Sequence, residues 1–397
     1  MGSGMRKYIQ GDKVIWGVII LLSIFSLLAV YSSTGTLAYK KMGGNTTYYL
    51  IRHGVILFAS LFIIFVFHLI PYQLYSRLSV ILLWASAILL VFTLISGTSI
   101  NQASRWLTLP GLGFTVQPSD FAKVSLIMYL ARQLSLNQEK VKHLKEGYSR
   151  LLWPVLLITI LILPANLSTA LILFTVSLIL MFIGRVRFVY LLGTLTATLF
   201  VIGIFIGVSL FFKHEGRVTT WKNRVENFIQ GEDNAGSYQA VQAKIAVATG
   251  GLFGKKPGKS TQRNFLPHPY SDFIYAIIIE EYGLIFGAIP ILLAYLFLLY
   301  RAGLIVRKSD RTFPAFLTMG LTLLIVFQAL VNMGVAVNLF PVTGQTLPFV
   351  SMGGSSMLFT SIAFGIILSI SRTVENQDIV KEEMIIEEND ATFESDH

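Results

Sequence analysis

Three acidic residues lie at the edge of, or inside, one apolar segment in the second half of the chain: Asp272, Glu280 and Glu281. A charged side chain at the edge of lipid is costly, so its presence indicates a functional site. Asp272 stands where a Gly- and Lys-rich loop meets the apolar segment. A carboxylate there has two interpretations: a helix N-terminal acid stabilised by the helix dipole, worth roughly 0.3–1 kcal/mol, or a general base.

Glu280 and Glu281 have a different predicted role. They lie eight and nine positions beyond Asp272, which is ~12–14 Å along a helix at about 1.5 Å per residue. That distance is too great for both glutamates to share the chemistry of Asp272. They are therefore predicted to brace helices or to pair with cations.

Asp120 and Lys123 form a second charged pair, three positions apart, and so share one face of a helix. Each would be costly alone in lipid, which predicts that they pair with each other or line a wet cavity. Two roles stay open: an ion pair that positions the helix, or direct contact with a substrate. Gln117 and Pro118 mark the start of that helix.

Other polar side chains are candidates for binding an anionic group. Arg105, beside Trp106, is typical either of a membrane interface or of a residue that binds a lipid phosphate. Ser355 lies in a run of small residues (351–356), which permits close helix packing or anion binding at a helix N-terminus. The cations of the long loop are each typical of a solvated surface, but together they indicate an anionic substrate. The predicted binding residues are Arg105, Gln117, Lys123, Arg217, Arg224, Lys244, Lys259 and Ser355.

The basic run 254–260 resembles a nucleotide phosphate loop but fails its spacing. That motif needs four residues between its glycines, and three separate Gly254 from Gly258. A nucleotide-binding function is excluded on this ground. Backbone amides at glycine turns, together with lysines, also bind pyrophosphate. The run therefore predicts either such a site or a solvated basic loop.

The elements that must position these residues are membrane helices. Of the 397 residues, 54% are hydrophobic and 13% charged, against roughly 25% charged in soluble domains. We predict an all-α polytopic membrane protein with about ten spans, each near the roughly 20 apolar residues that cross a bilayer. The spans are predicted near 14–33, 48–70, 79–97, 117–134, 150–165, 167–184, 188–212, 271–300, 312–335 and 350–371. No cysteine is present, which excludes disulfides and thiol chemistry, and the net charge of +10 arises from short loops rather than from a nucleic-acid-binding surface.

Basic residues in the short loops predict the orientation of the chain. They cluster on one side of the membrane, which by the positive-inside rule is the cytoplasm. Both termini are then cytoplasmic, and the loop 213–270 between the seventh and eighth spans is extracytoplasmic. Apolar residues at helical spacing predict two short surface helices in that loop, at 221–229 and 238–248. The chain is divided into a cytoplasmic N-terminus (1–13) that begins with an expression remnant, a membrane domain (14–372) and an acidic disordered tail (373–397).

Several ordered blocks of sequence extend from the third to the tenth predicted span. They are Arg105-Trp106, Gln117-Pro-Ser-Asp-Phe-Ala-Lys123, Ser237-Tyr-Gln239 through Gly250-Gly-Leu-Phe-Gly254, Phe265-Leu-Pro267, Ser271-Asp-Phe-Ile274, and Pro341-Val-Thr-Gly-Gln-Thr-Leu-Pro-Phe-Val-Ser-Met-Gly-Gly-Ser-Ser356. In residues, order and spacing these blocks resemble the SEDS family. Within the family, the last block is closer in form to the division member, FtsW, than to the elongation member, RodA.

The resemblance implies an enzyme that polymerises lipid II into glycan strands on the outer face of the bacterial cytoplasmic membrane, at the division septum. It places the family's essential aspartate at Asp272, as general base, and the family's acid–lysine pair at Asp120 and Lys123. The implied reaction is an inverting glycosyl transfer in which undecaprenyl pyrophosphate leaves. A divalent cation, Mg²⁺ or Mn²⁺, is a candidate cofactor without an evident ligand set. The implied partners are lipid II and undecaprenyl chains, a class B penicillin-binding protein that acts as transpeptidase, and other divisome proteins.

The chain departs from the family pattern at several positions. Asp120 stands where the family usually has Glu. His268 replaces a nearby acid, and Asn166 replaces the carboxylate of another family block. Roles of those missing carboxylates, metal binding included, are not carried over, whereas Asp272 is unaffected.

Two other functions are compatible with many spans and intramembrane charges. A transporter or flippase of a lipid-linked precursor explains both, but it does not explain why an acid and several cations converge on the outer face beside a long ordered loop. A non-catalytic scaffold for division proteins is the third hypothesis. It predicts that Asp272→Asn still supports growth.

Overall fold

The protein is mostly helical in the computed structural model, which describes residues 10–35, 37, 46–100, 103–108, 115–211 and 235–395. Short 3-10 turns at Lys140–Lys142 and Gln262–Asn264, and π-helical turns at Leu144–Tyr148 and Leu284–Ala288, lie between the longer elements. The described α-helices are α1 (Lys13–Ser33), α2 (Thr46–Leu69), α3 (Tyr72–Ser96), α4 (Pro118–Leu136), α5 (Ser149–Ile162), α6 (Leu167–Ile183), α7 (Phe188–Phe211), α8 (Ala235–Gly250), α9 (Ile274–Gly283), α10 (Ile289–Lys308), α11 (Thr312–Ala336) and α12 (Gly354–Ser395).

A helix lies at every predicted span position, but not every helix has the length and hydropathy of a membrane span by itself. In the described part of the chain six units do: α1, α2, α3, α11, the α9–α10 unit (Ile274–Lys308) and the first part of α12 (Gly354–Asp378). α4 carries three charged residues, and α5 and α6 contain 14 and 17 residues. The protein is a membrane protein with several spans, and the count of about ten stays a prediction.

Helices α11 and α12 form the centre of the bundle. In each, 67% of the most apolar window is buried, against 22% in α2. α11 packs on α4, α6 and α10, whereas α12 packs along α2. The outer helices expose large apolar side chains such as Phe58 and Ile95, as expected of surfaces that face lipid. Polar residues on the inner faces of α4, α11 and α12 therefore lie inside the bundle.

A small antiparallel sheet occupies part of the segment before α4, which an all-α fold does not predict. Its strands are β1 (Thr98–Ile100), β2 (Ala103–Thr108) and β3 (Thr115–Val116), in the order β1-β2-β3. Thr, Ile and Val at these positions favour extended backbone. β2 contacts α3 and α4, so the sheet covers the end of the bundle where α4 begins.

The long loop and the C-terminus differ in how far the sequence anticipates them. α8 (Ala235–Gly250) covers the predicted helix at 238–248, and the helix predicted at 221–229 lies outside the described residues. The tail after residue 372 is predicted to be disordered, but α12 is described through Ser395. Glu, Lys and Met have good helix propensity, and extending an existing helix avoids the cost of nucleation.

Candidate active site

Asp272 lies in the turn that precedes α9. The helix begins at Ile274, with Phe273 at its N-cap and without a side-chain cap, so Asp272 precedes the helix rather than capping it. Its Oδ1 accepts a hydrogen bond from Ser271 Oγ at 2.8 Å, and the residue is partly exposed. A Cβ added to Gly344 would lie 3.6 Å from Oδ2. The carboxylate therefore faces Gly344, a residue without a side chain.

The backbone on either side of the Asp272 carboxylate is fixed at three consecutive carbonyl groups. Met352 N donates to the carbonyl of Tyr270 at 2.9 Å. Ser351 Oγ donates to the carbonyl of Ser271 at 2.6 Å, and Asn332 Nδ2 donates to the carbonyl of Asp272 at 2.9 Å. Because a buried carbonyl without a partner is costly, these bonds specify where the turn lies. The result is a rigid backbone that carries a partly exposed acid.

A second polar cluster joins α4 to α11 and α12. Lys123 Nζ lies 2.8 Å from Asp120 Oδ1, and both side chains are buried. Lys123 Nζ also donates to Gln328 Oε1 at 3.1 Å, while Ser355 Oγ lies 3.4 Å from Asp120 Oδ2. Ser355 Oγ in turn accepts from Gln117 N at 3.1 Å. Four of the predicted site residues (Gln117, Asp120, Lys123 and Ser355) are thus brought together.

The loop between α11 and α12 connects this cluster to Asp272. Gln328 and Asn332 lie one helical turn apart on α11 and hold consecutive carbonyls of the loop. Gln328 Nε2 donates to the carbonyl of Thr346 at 3.2 Å, and Asn332 Nδ2 donates to that of Gln345 at 2.7 Å. Gln345 Nε2 extends the contacts to Thr169 on α6 at 2.8 Å. The acid, the lysine and the loop therefore belong to one hydrogen-bonded framework.

A small cavity of about 20 Å³, room for roughly one water molecule, opens beside the buried ion pair, between α4, α11 and α12. One wall is polar, with Asp120, Lys123, Gln328 and Ser356. The rest of the lining is mainly apolar and consists of Val124, Leu324, Ile325, Pro348, Phe359, Thr360 and Ala363. Apolar walls with a few convergent polar groups are typical of a ligand site, but such sites usually measure roughly 300–1,000 Å³. The cavity beside the ion pair therefore does not by itself indicate a ligand.

The other predicted binding residues are not joined to this framework by the described contacts. Lys244 on α8 and Lys259 are exposed and form no ion pair with described residues. Arg105 lies in β2, and only its backbone is described. Arg217 and Arg224 lie outside the described residues. The hypothesis of a cationic cluster on the outer face therefore rests on the sequence.

The basic loop, defined as residues 251–263, binds a side chain of its own protein. Thr261 N and Gln262 N donate to the Glu280 carboxylate at 3.1 and 3.2 Å, and Lys255 Nζ lies 2.7 Å from it. Glu280 thus pairs with a cation, which is the role that the sequence predicts for it. Within the 254–260 run itself, the amides of Lys255 and Lys256 donate to the carbonyls of Glu280 and Glu281, and the Ser260 amide donates to the Glu281 carboxylate. These three amides are therefore not available to a pyrophosphate.

Asn332, Gln328 and Gln345 are site residues that the sequence analysis did not identify. A signal was present, because a polar side chain within a membrane span is costly unless it is hydrogen-bonded. Gln328 and Asn332 are four positions apart in the apolar segment 312–335, which places both on one face of the helix.

The described residues contain no group of three or more His, Cys, Asp or Glu side chains that could hold a metal ion. Asp272 is the carboxylate of the turn, and the surrounding groups are Ser271, Asn332 and the loop backbone. Mg²⁺ is often held by one or two carboxylates together with substrate phosphates. The residues present fit a cation of that kind and not one held by the protein alone.

Comparison with known proteins identifies the family. The sequence profile of the cell cycle protein family that comprises FtsW, RodA and SpoVE matches residues 12–376. The chain belongs to this family. Among its FtsW/RodA/SpoVE relatives, a probable peptidoglycan glycosyltransferase FtsW of Trichlorobacter lovleyi is 35% identical over 91% of this chain and 93% of its own length. Stage V sporulation protein E of Bacillus subtilis is 32% identical over 92% of this chain and 98% of its own.

Solved structures of the family show the same fold. One chain of a peptidoglycan synthase complex, solved in a study of how polymerization and crosslinking are coordinated, matches with a TM-score of 0.70. It is 24% identical, and the match covers 92% of this chain and 98% of that chain. RodA of Thermus thermophilus matches with a TM-score of 0.65 at 24% identity, over the same shares of the two chains. At this identity the likeness establishes the fold alone.

Proposed function

We propose that the protein is a peptidoglycan glycosyltransferase that polymerises lipid II into glycan strands during cell division. Relatives of nearly the same length are named probable peptidoglycan glycosyltransferases. The observation that carries the proposal is the turn at Asp272, where three fixed carbonyls hold a partly exposed carboxylate. A general base needs such a defined position, within hydrogen-bond reach of the proton that it removes.

The proposed reaction is an inverting displacement at a sugar carbon. The 4-hydroxyl oxygen of GlcNAc on one lipid II forms a bond to the anomeric carbon of a lipid-linked MurNAc. The bond from that carbon to the pyrophosphate oxygen breaks, and undecaprenyl pyrophosphate leaves with the electron pair. The hydroxyl proton passes to the Asp272 carboxylate. No nucleotide is required, because the pyrophosphate link is itself the activated bond.

Cations and an apolar groove complete the proposed site. The negative charge on the leaving pyrophosphate requires positive groups at that position. We assign this role to Lys123, at the polar wall of the cavity, and to Arg105, Arg217, Arg224, Lys244 and Lys259 from the outer face. Apolar surfaces between the helices would hold the polyprenyl chain, outside the small cavity beside Lys123. A divalent cation, Mg²⁺ or Mn²⁺, would add charge neutralisation when it is bound with the substrate.

The setting of this reaction is also part of the proposal. The site faces the outside of the bacterial cytoplasmic membrane, both termini are cytoplasmic, and the protein acts at the septum. A class B penicillin-binding protein crosslinks the strands, in line with the synthase complex that shares this fold. Other divisome proteins are further partners.

The proposal is tested with purified protein, its penicillin-binding partner and labelled lipid II. Asp272→Asn removes the base and should lower polymerisation by roughly 10²–10⁴-fold. Glu139→Gln is the control, because Glu139 is exposed and pairs with Lys142 in a loop that is distant in sequence from Asp272. Unchanged polymerisation in Asp272→Asn would contradict the assignment. Transfer of lipid II across proteoliposomes without any polymer would instead support a flippase.

A further inference from the structure

The basic loop is fastened by backbone hydrogen bonds to the break between α9 and α10. The amides of Lys255 and Lys256 donate to the carbonyls of Glu280 and Glu281 at 2.9 and 3.0 Å. In the opposite direction, two amides of the π-helical turn donate to carbonyls at the start of the loop, at 3.0 and 3.1 Å. The loop thus supplies hydrogen-bond partners for a helix end that would otherwise be unsatisfied inside the protein.

Glycines permit this close contact. A Cβ added to Gly254 would lie 2.3 Å from the carbonyl oxygen of Glu281, and one added to Gly283 would lie 2.4 Å from that of Leu252. Gly283 also has a φ of +75°, a backbone angle that residues other than glycine rarely adopt. The two backbones are therefore in direct contact.

The Glu280 carboxylate is the centre of the contact. The residue is completely buried, and a buried charge is costly unless it is paired and hydrogen-bonded. Lys255 Nζ lies 2.7 Å from its Oε1, and Ser260 Oγ donates to its Oε2. Thr261 donates through both its amide, at 3.1 Å, and its hydroxyl, at 2.8 Å. The Gln262 amide, at 3.2 Å, completes the set.

Glu281 ties the same region to α1. Its carboxylate accepts from Ser32 Oγ and, at 3.3 Å, from the Ser260 amide. Arg263 reaches the same place, with Nη1 3.0 Å from the carbonyl oxygen of Ser32. The basic loop is therefore held from two helices.

Asp272 lies in the segment 260–280, and Glu280 joins the two ends of that segment. Ser260–Gln262 precede Asp272 and Glu280 follows it, so the carboxylate joins the two ends of a 260–280 ring. The carbonyl bonds to α11 and to the loop before α12 fix the opposite side of that ring. Both the chain that enters the Asp272 turn and the helix that leaves it thus depend on one buried side chain.

We infer that Glu280 is a positioning residue that sets the place of Asp272 by closing this ring. The inference rests on the proposed function of Asp272 as the base. Displacing a catalytic group by about 1 Å can cost as much as roughly 100-fold in rate. Glu280 does not touch the substrate. It acts through the basic loop, whose lysines are therefore in part structural.

The first test is Glu280→Gln, which removes the charge and keeps the shape. An amide NH₂ group cannot accept the hydrogen bonds that the second carboxylate oxygen receives. We expect kcat for lipid II polymerisation to fall by roughly 10- to 100-fold, with KM changed less than about twofold. Trypsin should also cleave after Lys259 and Arg263 faster than in the parent protein. Lys256→Gln is the matched control, because this exposed side chain lies in the same loop.

The second test joins position 280 to the basic loop by other means, closing a 255–280 ring that contains the 260–280 ring. The chain contains no cysteine, so the double variant Lys255→Cys, Glu280→Cys offers a single disulfide across residues in backbone contact. The oxidised form should recover polymerisation and trypsin resistance, and the reduced form should lose both. Recovery without a carboxylate would show that Glu280 acts by position and not by its charge at the reacting atoms.

The outcomes separate this inference from the proposed function. If Asp272→Asn is inactive while Glu280→Gln turns over as the parent does, the inference about Glu280 is wrong and the base assignment stands. If Glu280→Gln fails to fold, the reduced and oxidised forms of the double variant decide the matter, and equal rates for the two overturn the inference. If Asp272→Asn retains polymerisation, the proposed function fails independently of either result.

Discussion

Asn332 Nδ2 lies 2.9 Å from the backbone carbonyl oxygen of Asp272. The same nitrogen lies 2.7 Å from the carbonyl oxygen of Gln345, so one side-chain amide holds the turn of the acid against the loop that faces it. Asn332 is buried, and two carbonyls depend on it.

Replacing Asn332 by Ala should therefore impair both folding and activity. Leaving buried carbonyls without donors costs about 1–3 kcal/mol of unfolding free energy, and the freed turn should lower polymerisation at least about tenfold. Thermal unfolding in detergent and lipid II polymerisation measure the two effects. Thr322→Val is the control, because Thr322 is buried on the same helix and its hydroxyl has no hydrogen-bond partner among the described residues. Equal effects of the two variants would refute the role of Asn332.

Gly283 should tolerate no side chain. Its φ of +75° and ψ of −173° lie in a region that is essentially reserved for glycine, and a Cβ would lie 2.4 Å from a backbone carbonyl oxygen. Gly283→Ala should lower the unfolding free energy by more than about 3 kcal/mol. Gly258→Ala is the matched variant, with a φ of +74° but open space around its Cβ. It should cost only about 1–2 kcal/mol. If the two variants lowered the unfolding free energy by the same amount, the basic loop would have to separate from α9 at little cost.

The Tyr270 phenol should stay protonated between about pH 6 and 9. Burial, then the neighbouring Tyr49 and Asp272, raise the pKa of Tyr270 above its usual value. A raised pKa means that the folded state favours the neutral phenol. The stability that this group contributes is therefore complete below about pH 10 and is lost only above that pH. Tyr270→Phe should therefore leave the shape of the pH–rate profile unchanged between about pH 6 and 9. A shifted alkaline limb in this variant would contradict the expectation.

A divalent cation should bind together with the substrate rather than to the free protein. The described residues offer no cluster of three or more ligands, and phosphate oxygens are preferred partners of Mg²⁺. EDTA should slow lipid II polymerisation while leaving the melting temperature of the substrate-free protein unchanged. Added Mn²⁺ or Mg²⁺ should restore the rate. A melting temperature that falls with EDTA before any substrate is added would show a site built by the protein alone.

Charge in apolar segments accounts for most of what the sequence could reveal about the site. Asp272, Lys123 and Glu280 stand out because each would be costly in lipid without a partner. Helix positions follow from apolar segments of about the length that crosses a bilayer. These are local properties of the chain, and for that reason the helices and the charged candidates were predictable.

The features that the sequence did not predict depend on tertiary contact. The sheet before α4 consists of strands as short as two or three residues, too short for a periodic pattern. The amides of the 254–260 run suggested an anion site, and only the fold shows that several of them donate to the backbone carbonyls of Glu280 and Glu281 and to the Glu281 carboxylate. Asn332 is a site residue because the loop after α11 folds back against the Asp272 turn, and that contact is not visible in the sequence.

The Asp120–Lys123 pair should respond very differently to single and double substitution. Nζ and Oδ1 lie 2.8 Å apart, with 8% and 5% of the two side chains exposed. Asp120→Asn leaves the buried lysine charge with neutral oxygens and no counter-charge, and Lys123→Met leaves the carboxylate with the Ser355 hydroxyl. Each single change should cost about 3–5 kcal/mol, whereas the double variant should cost much less, because it removes both charges. Melting temperatures of the four proteins complete the double-mutant cycle. If the double variant also lacks polymerisation while it folds as the parent does, Lys123 acts on the substrate; if polymerisation persists, the pair only positions α4.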